Sequence, residues 1–116
     1  MSQISIYHNP RCSKSRQTLA LLEEKGIEVT IIEYLKTPPS AESLRTIIEQ
    51  LGISPRQLLR KGETIYKELN LKDESLSDQQ LIQAMCDNPK LIERPIVINN
   101  GKAKLGRPPE SVLEIV

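Results

Sequence analysis

The spacing of apolar and polar positions changes along the chain and marks out separate elements. The first apolar segment, Gln3–Tyr7, alternates with polar residues and predicts a strand. Ser15–Lys25 contains three leucines and predicts a helix that ends at Gly26, because glycine readily adopts the left-handed conformation of a helix stop. Glu28–Tyr34 is apolar and β-branched, so it predicts a parallel strand that a right-handed crossover connects to the first.

The middle of the chain has helical periodicity and begins after the break at Pro38-Pro39. Ser40 caps the first predicted helix of this region, and Gly52 ends it. Its apolar residues recur at i, i+3, i+4 and i+7, namely Leu44, Ile47, Ile48 and Leu51. A serine cap followed by a first-turn proline predicts a helical segment at Ser54–Arg60, and a capping box predicts another at Ser77–Asn88. We also expect a short helix at Thr64–Leu69.

The last quarter of the chain predicts a hairpin and a final helix. Pro95–Ile98 predicts a strand, Asn99–Gly101 a turn, and Lys102–Leu105 the return strand. A helix follows at Pro109–Ile115. This order of elements predicts an α/β fold, a thioredoxin-like mixed β-sheet with flanking helices and a helical insertion. We expect residues 1–116 to form a single domain, since no linker divides them.

Composition and charge narrow the classes of function. At 116 residues and 38% hydrophobic content, one core forms without disulfides or a metal. Sixteen basic and fifteen acidic residues give a net charge of +1, which favours neither a nucleic acid nor a membrane surface as partner. Two cysteines outside any Cys-x-x-Cys pair, and one histidine, match no metal site. We expect a soluble protein of the reducing cytoplasm, because no apolar segment has the length of a signal or membrane span.

Cys12 lies between the end of the first strand and the start of the first helix. A helix start favours a bound anion and an ionised sulfur, because its backbone N–H groups are unpaired and the helix dipole is positive there. Three basic residues flank the cysteine: Arg11, Lys14 and Arg16. A lone cysteine is usually a small buried hydrophobic residue, but this position and these neighbours favour a reactive thiolate.

The sequence indicates the roles of the histidine and of the second cysteine less clearly than that of Cys12. His8 lies four residues before Cys12. At this position it could act as a general base, as a charge partner of the thiol or as a residue that orients the loop. We expect it to orient the loop or tune the charge of the thiol. Cys86 lies in a predicted helix next to its apolar stripe of Leu81, Ala84 and Met85, so we expect it to serve packing alone.

Three arginines are candidates for binding an anion: Arg60, Arg94 and Arg107. Arg60 ends a predicted helix, and the other two each precede a proline, which holds them extended. Any one arginine is usually a solvated surface residue. Several arginines near strand ends could together bind a tetrahedral oxyanion, because each guanidinium group is planar and presents several N–H donors. Pro95 opens a strand, where the trans form is common and the cis form accounts for about 5–6% of X–Pro bonds.

Taken together, these motifs resemble those of the glutaredoxin-dependent arsenate reductases, a thioredoxin-like family that also includes the Spx-type regulators. The resemblance spans nearly the whole chain and is nearest to the shorter chromosomal type. Its most specific segments are Ile6–Pro10 with Cys12 and Ser15-Arg16, Leu58–Arg60, Leu91–Val97 and Gly106–Pro108.

The resemblance implies a role for each candidate residue. Cys12 would be the nucleophile, His8 would tune its thiolate, and Pro95 would form a cis peptide. The oxyanion would be bound and polarised by Arg60, Arg94 and Arg107. The implied substrate is arsenate, with glutathione as co-substrate, glutaredoxin as partner and no bound cofactor or metal. We expect a monomer. Ser13 and Lys14 depart from the family pattern of a glycine and a small polar residue.

Three other functions remain open. A glutathione-linked thiol oxidoreductase would use the same cysteine on disulfides. A non-enzymatic Spx-like regulator is less consistent, because Ser15 occupies the position where a Cys-x-x-Cys switch has its second thiol. A low-molecular-weight phosphatase would need a Cys-x5-Arg loop, and Thr18 stands where that arginine would be.

Overall fold

The protein is described by a computed structural model over residues 4–116, and it contains two compact units. The first unit comprises residues 4–37 and 94–116 of the described chain. The second unit is Pro38–Glu93, which is the helical insertion that the sequence predicts. The assignment of the whole chain to a single domain stays a prediction. Within residues 4–116, every helix is too short or too polar to cross a membrane.

The first unit is built on a mixed four-stranded sheet. Its strands are β1 (Ile4–Tyr7), β2 (Val29–Ile32), β3 (Ile96–Asn99) and β4 (Lys102–Leu105). Their order across the sheet is β2-β1-β3-β4, with β1 parallel to β2 and antiparallel to β3, and β3 antiparallel to β4. The predicted parallel crossover and the predicted hairpin are both confirmed. Gln3, the predicted start of the first strand, lies outside the described residues.

Helix α1 (Ser13–Glu24) connects β1 to β2, and a 3₁₀ helix, Pro109–Glu114, follows β4. Both contribute to one apolar cluster with the sheet. Its buried members are Ile4, Ile6, Leu22, Val97 and Val112, and the partly buried side chains of Leu19, Ile27, Val29 and Ile115 pack against them. The burial of these side chains removes apolar surface from water and holds the sheet against its helices.

Several element boundaries in this unit differ from the prediction: β3 begins at Ile96 and includes Asn99, and the last predicted helix is a 3₁₀ helix that ends at Glu114. The second strand ends at Ile32 rather than at Tyr34, because the backbone turns there: the N–H groups of Lys36 and Thr37 donate to the carbonyl of Glu33. Helix α1 begins at Ser13, earlier than predicted, so that its first turn directly follows Cys12.

The second unit contains four α-helices: α2 (Ala41–Leu51), α3 (Pro55–Leu58), α4 (Thr64–Glu68) and α5 (Asp78–Asp87). A 3₁₀ turn that the sequence did not predict, Pro89–Leu91, follows α5. The predicted stripe on α2 is confirmed for Leu44, Ile47 and Ile48, which are buried, while Leu51 at its end is partly buried. Serine caps begin α2, α3 and α5, and the last two form complete capping boxes.

The segment after α3 is extended, where the sequence predicted helix as far as Arg60. Leu59 has φ −72° and ψ 135°, and it pairs antiparallel with Ile92. Two hydrogen bonds flank this bridge: Arg60 N–H donates to the Leu91 carbonyl at 2.8 Å, and Glu93 N–H donates to the Leu58 carbonyl at 2.9 Å. This bridge between distant segments ends α3 and determines where Arg60 lies in the unit.

Candidate active site at the start of helix α1

Cys12 is the N-cap of α1 and has extended backbone angles, φ −95° and ψ 122°. Its N–H donates to the Asn9 carbonyl at 3.0 Å, and its own carbonyl accepts from the Arg16 N–H at 3.0 Å. The side chain is partly buried and the thiol is free. The sulfur therefore lies at the positive end of the helix, as the sequence predicts.

The electrostatic surroundings lower the pKa of the Cys12 thiol. Burial is the largest single influence and raises the pKa, because it penalises the charged form. The N–H group of Ser15, the side chain and charge of Arg94 and the N–H group of Lys14 all favour the ionised sulfur and together outweigh it. The pKa consequently lies below its ordinary value, so more of the nucleophilic thiolate is present at neutral pH.

Ser15 holds the loop before the helix in place. Its buried Oγ accepts from the Asn9 N–H at 3.0 Å and lies 2.6 Å from Nδ1 of His8. Two further bonds close the turn: Arg11 N–H donates to Oδ1 of Asn9 at 3.0 Å, and the Arg16 guanidinium donates to the Pro10 carbonyl at 2.9 Å. These contacts make the loop a defined cradle for the thiol.

His8 is buried, and that burial lowers its pKa below the ordinary value. The carboxylate of Glu33 opposes the shift, and the charge of Arg16 adds to it. The imidazole is therefore neutral near pH 7, and its contact with the loop is the short one to Ser15. Of the two roles expected for His8, this geometry supports orientation of the loop more than tuning by a positive charge.

The register of the sheet explains how distant segments reach the cysteine. Tyr7 pairs with Ile96, and Ile96 pairs with Leu105, so the three lie side by side across β1, β3 and β4. These three residues lie at the ends of their strands. The loop that carries Cys12 leaves the sheet at this end, and Arg94 and Arg107 lie two residues beyond Ile96 and Leu105. The tertiary pairing of strands thus brings together residues that are far apart in sequence.

Arg94 and Arg107 both lie next to the sulfur. Nη2 of Arg107 is 3.9 Å from Sγ of Cys12, and Nε of Arg107 donates to the Arg94 carbonyl at 2.8 Å. The Arg94 side chain lowers the pKa of the Cys12 thiol by hydrogen bonding and by its charge, while its buried Nε finds no hydrogen-bond partner within residues 4–116. Cationic donors and the N–H groups of a helix start therefore surround one nucleophile, an arrangement suited to a tetrahedral oxyanion.

Prolines follow both of these arginines, and both peptide bonds, Arg94-Pro95 and Arg107-Pro108, are cis. The first is the bond for which the family resemblance implies this conformation. The second was not predicted from the sequence.

Arg60 is held by carboxylates of the helical unit. Its Nε lies 3.5 Å from Glu63, and its Nη1 lies 3.7 Å from Glu93. That Nη1 is buried and has no hydrogen bond of regular geometry to any residue in the described range. The assignment of Arg60 to the oxyanion site stays a prediction.

Cys86 has a different environment from Cys12. It lies in the last turn of α5 and is partly buried. Burial raises the pKa of its thiol, and the neighbouring charge of Asp87 raises it further. A protonated thiol is a poor nucleophile, which is consistent with the predicted packing role.

Sequence reasoning did not identify Asn9 and Ser15 as the residues that build the loop. An Asn-Pro pair before a helix signals a turn in which the asparagine side chain bonds the backbone, and this signal was available. For Ser15 the signal was weaker, because a serine in a first helical turn is usually solvated. Within the described part of the chain, no group of three or more His, Cys, Asp or Glu residues could hold a metal ion.

Comparison with known proteins gives a family match over most of the chain. Residues 7–115 match the sequence profile of the ArsC family. The chain is 63% identical over 115 residues to the uncharacterized protein YfgD of Escherichia coli K12, covering 98% of this chain and 97% of that protein. It is 54% identical over 114 residues to a protein of Haemophilus influenzae named arsenate reductase, covering 97% and 98%.

A solved structure has the same fold. The structure named arsenate reductase from Vibrio cholerae is similar with a TM-score of 0.96 at 57% sequence identity, and the match covers 98% of each chain. This likeness extends over the sheet and the helical insertion alike, so the thioredoxin-like fold predicted from the order of elements is confirmed.

Proposed function

The chain belongs to the ArsC family, and from this premise we propose that it is an arsenate reductase, reducing arsenate to arsenite through an adduct on Cys12. The observation that carries the proposal is the Cys12 thiol of lowered pKa, with N–H groups and two arginines around it. The names of close relatives support the same substrate.

The first step is the binding of arsenate as a phosphate-like anion. Its oxygens would be held by the N–H groups of Lys14 and Ser15 and by the guanidinium groups of Arg94 and Arg107. The Cys12 thiolate then attacks arsenic, and one arsenate oxygen leaves as water after taking up protons. Arsenate and the Cys12 thiolate are both negatively charged and repel each other. The two arginines offset this repulsion with their positive charges.

The later steps require an external thiol, because Cys12 has no second cysteine at Cys-x-x-Cys spacing. We assign this role to glutathione, whose thiol displaces a second oxygen as water to give a Cys12–sulfur–arsenic–sulfur–glutathione species. A glutaredoxin thiolate then attacks the glutathione sulfur. The electron pair of the arsenic–sulfur bond stays on arsenic, which falls from the pentavalent to the trivalent state. Water releases arsenite and returns the Cys12 thiol.

This chemistry uses no bound metal or organic cofactor. It also needs a reducing pool of small thiols, so we propose that the protein acts in the cytoplasm. We further propose that it acts as a monomer, since every group invoked at the site belongs to one chain. Gel filtration at micromolar concentration tests the oligomeric state.

The test of function is the consumption of NADPH by a coupled system of glutathione, glutathione reductase and glutaredoxin, measured with and without arsenate. We expect oxidation that needs arsenate, glutaredoxin and Cys12, with Cys12→Ser as the inactive control. Glutathione-dependent reduction of a disulfide substrate without any dependence on arsenate would instead support the thiol oxidoreductase.

A further inference from the structure

Gly106 occupies a crowded position between three segments of the site. It follows β4, directly precedes Arg107 and is buried. We propose that Gly106 is a positioning residue of this site: its lack of a side chain lets helix α1, the Arg94-Pro95 segment and Arg107 meet at the distances that hold the Cys12 thiolate and its oxyanion. The inference rests on the proposed function for the identity of that anion.

The space at Gly106 admits no side chain. A β-carbon placed there would lie 2.5 Å from Oγ1 of Thr18, 2.7 Å from Cγ of Pro95 and 3.2 Å from Cγ2 of Thr18. Favourable contacts between carbon atoms are at about 3.5–4.0 Å, so neighbouring atoms would have to move. The φ of Gly106 is not in the left-handed region, so glycine is needed here for space and not for backbone conformation.

The first neighbour, Thr18, is tied to the turn that faces the thiol. It is completely buried, and its Oγ1 donates to the Lys14 carbonyl at 2.8 Å. Lys14 belongs to the first turn of α1, and its N–H is one of the groups that lower the pKa of Cys12. A methyl group at position 106 would push against this threonine and disturb the helix start.

The second neighbour, Pro95, is tied to the arginine that binds the sulfur. Gly106 N–H donates to the Pro95 carbonyl at 3.0 Å, and Pro95 follows Arg94 in the chain. Pressure on the proline ring would displace Arg94, whose side chain and positive charge favour the Cys12 thiolate.

The third link is Arg107, the next residue in the chain. Its Nε donates to the Arg94 carbonyl and its Nη2 lies 3.9 Å from Sγ of Cys12. A shift of the backbone at Gly106 would move this guanidinium as well. A β-carbon at position 106 would therefore disturb three groups that lie near the sulfur: the first turn of α1 at Lys14, the Arg94 side chain and the Arg107 guanidinium.

The experiment replaces Gly106 with alanine in a Cys86→Ser background, where Cys12 is the only thiol. The rate of alkylation by iodoacetamide, measured against pH, gives the thiol pKa without any need for turnover. Slowing of alkylation by added arsenate gives the occupancy of the anion site. We expect Gly106→Ala to raise the thiol pKa by about one unit, a tenfold loss of thiolate below the pKa, and to weaken arsenate protection about tenfold.

The matched control is Gly62→Ala in the same background. A β-carbon at Gly62 would meet no atom within 4 Å, and its φ is not left-handed either. We expect its thiol pKa and arsenate protection to equal those of the parent. Circular dichroism and thermal melting of both variants separate a loss of fold from a local change at the site.

A folded Gly106→Ala variant with the parental pKa and parental protection would overturn the proposal. If Gly106→Ala does not fold, the comparison passes to Thr18→Ala and Gly106→Ala/Thr18→Ala, because removal of the threonine side chain leaves Pro95 as the close contact. The double variant should then have the higher thiol pKa of the two, and equal values would contradict the proposal. If the parent protein is not protected by arsenate, the proposed substrate fails while the pKa comparison still tests Gly106.

Discussion

Cys12 and Cys86 are both free and partly buried, yet the pKa values of their thiols move in opposite directions. Burial raises the pKa at each. At Cys12 the N–H groups of a helix start and Arg94 overcome that influence, whereas Cys86 lies in the last turn of α5 beside the carboxylate of Asp87. The end of the helix and the nearest charge, rather than the degree of burial, decide which cysteine is reactive.

The largest expected effect comes from exchanging each thiol in turn. Cys12→Ser should abolish arsenate reduction, because an alcohol is not ionised near neutral pH. Cys86→Ser should retain the parental rate within about twofold, since its thiol is protonated and lies outside the proposed chemistry. The coupled NADPH assay measures both. Loss of activity in a folded Cys86→Ser protein would show that two thiols take part and that the single-cysteine mechanism is wrong.

The second-largest effect is expected from removing the arginines that lie beside Cys12. Arg94→Ala removes the side chain and the positive charge that lower the pKa of Cys12. Charge-assisted contacts of this kind contribute about 1.5–3 kcal/mol, so arsenate binding should weaken by roughly 10-fold to 150-fold. Arg107→Ala should weaken binding as well. Arsenate protection of Cys12 from alkylation measures the affinity.

The control for the arginines is Arg11→Ala. Arg11 is exposed and adjacent to Cys12 in sequence, but it is not among the residues that shift the pKa of the thiol. If all three alanine variants weaken arsenate binding equally, general positive charge rather than placed donors would explain the site.

A smaller effect is expected from the hydroxyl that supports the Cys12 loop. Ser15→Ala leaves the buried Asn9 N–H and Nδ1 of His8 without the oxygen that both contact. Leaving such buried groups unsatisfied costs about 1–3 kcal/mol in the free energy of unfolding. Urea unfolding monitored by circular dichroism measures it, with Ser13→Ala, at an exposed position of the same turn, as the control. Equal stability of the two variants would contradict the role given to Ser15.

The smallest effect is the pH dependence of stability, and its sign differs between the two thiols. The pKa of Cys12 in the folded protein is below the unfolded value of about 8.5. Its stabilising contribution to the free energy of unfolding is therefore complete above that value and is lost as pH falls through the folded pKa. The folded pKa of Cys86 is raised, so its contribution is present below the unfolded value and is lost as pH rises through the folded pKa.

Thermal melting from pH 6 to pH 10 tests this sign. The difference in melting temperature between parent and Cys12→Ser should shift in favour of the parent as pH rises towards about 8.5. The difference between parent and Cys86→Ser should shift against the parent above that pH. Shifts of the same sign in both comparisons would contradict the assigned directions.

Much of the fold could be predicted because its determinants are local. The stripe of α2, the serine caps of three helices and the hairpin at Asn100-Gly101 each depend on residues a few positions apart. Asn100 and Gly101 have φ of 51° and 82°, as a two-residue hairpin turn requires. The end of α3 was mispredicted, because the extended conformation of Leu59 depends on pairing with the distant Ile92.

The candidate site was predictable in part for the same reason. The position of Cys12 at a helix start is a local property of the chain, and the sequence alone identified it. The contact between Arg107 and Cys12 joins residues 95 positions apart, and no local pattern specifies it. The sequence context made three arginines candidates and the resemblance to a family implied their role, while the sheet register supplied the physical reason for two of them.

By itself, then, the sequence determined the elements, their order and the presence of a thiol where a helix favours its ionised form. Periodicity, caps and turn residues act over a few positions, so they can be read from neighbouring residues. Only the tertiary structure decided that Arg94 and Arg107 reach this thiol, that Ser15 holds its loop, and that Gly106 leaves room for the three segments to meet. These features depend on the pairing of β1, β3 and β4, which brings distant residues to one edge of the sheet.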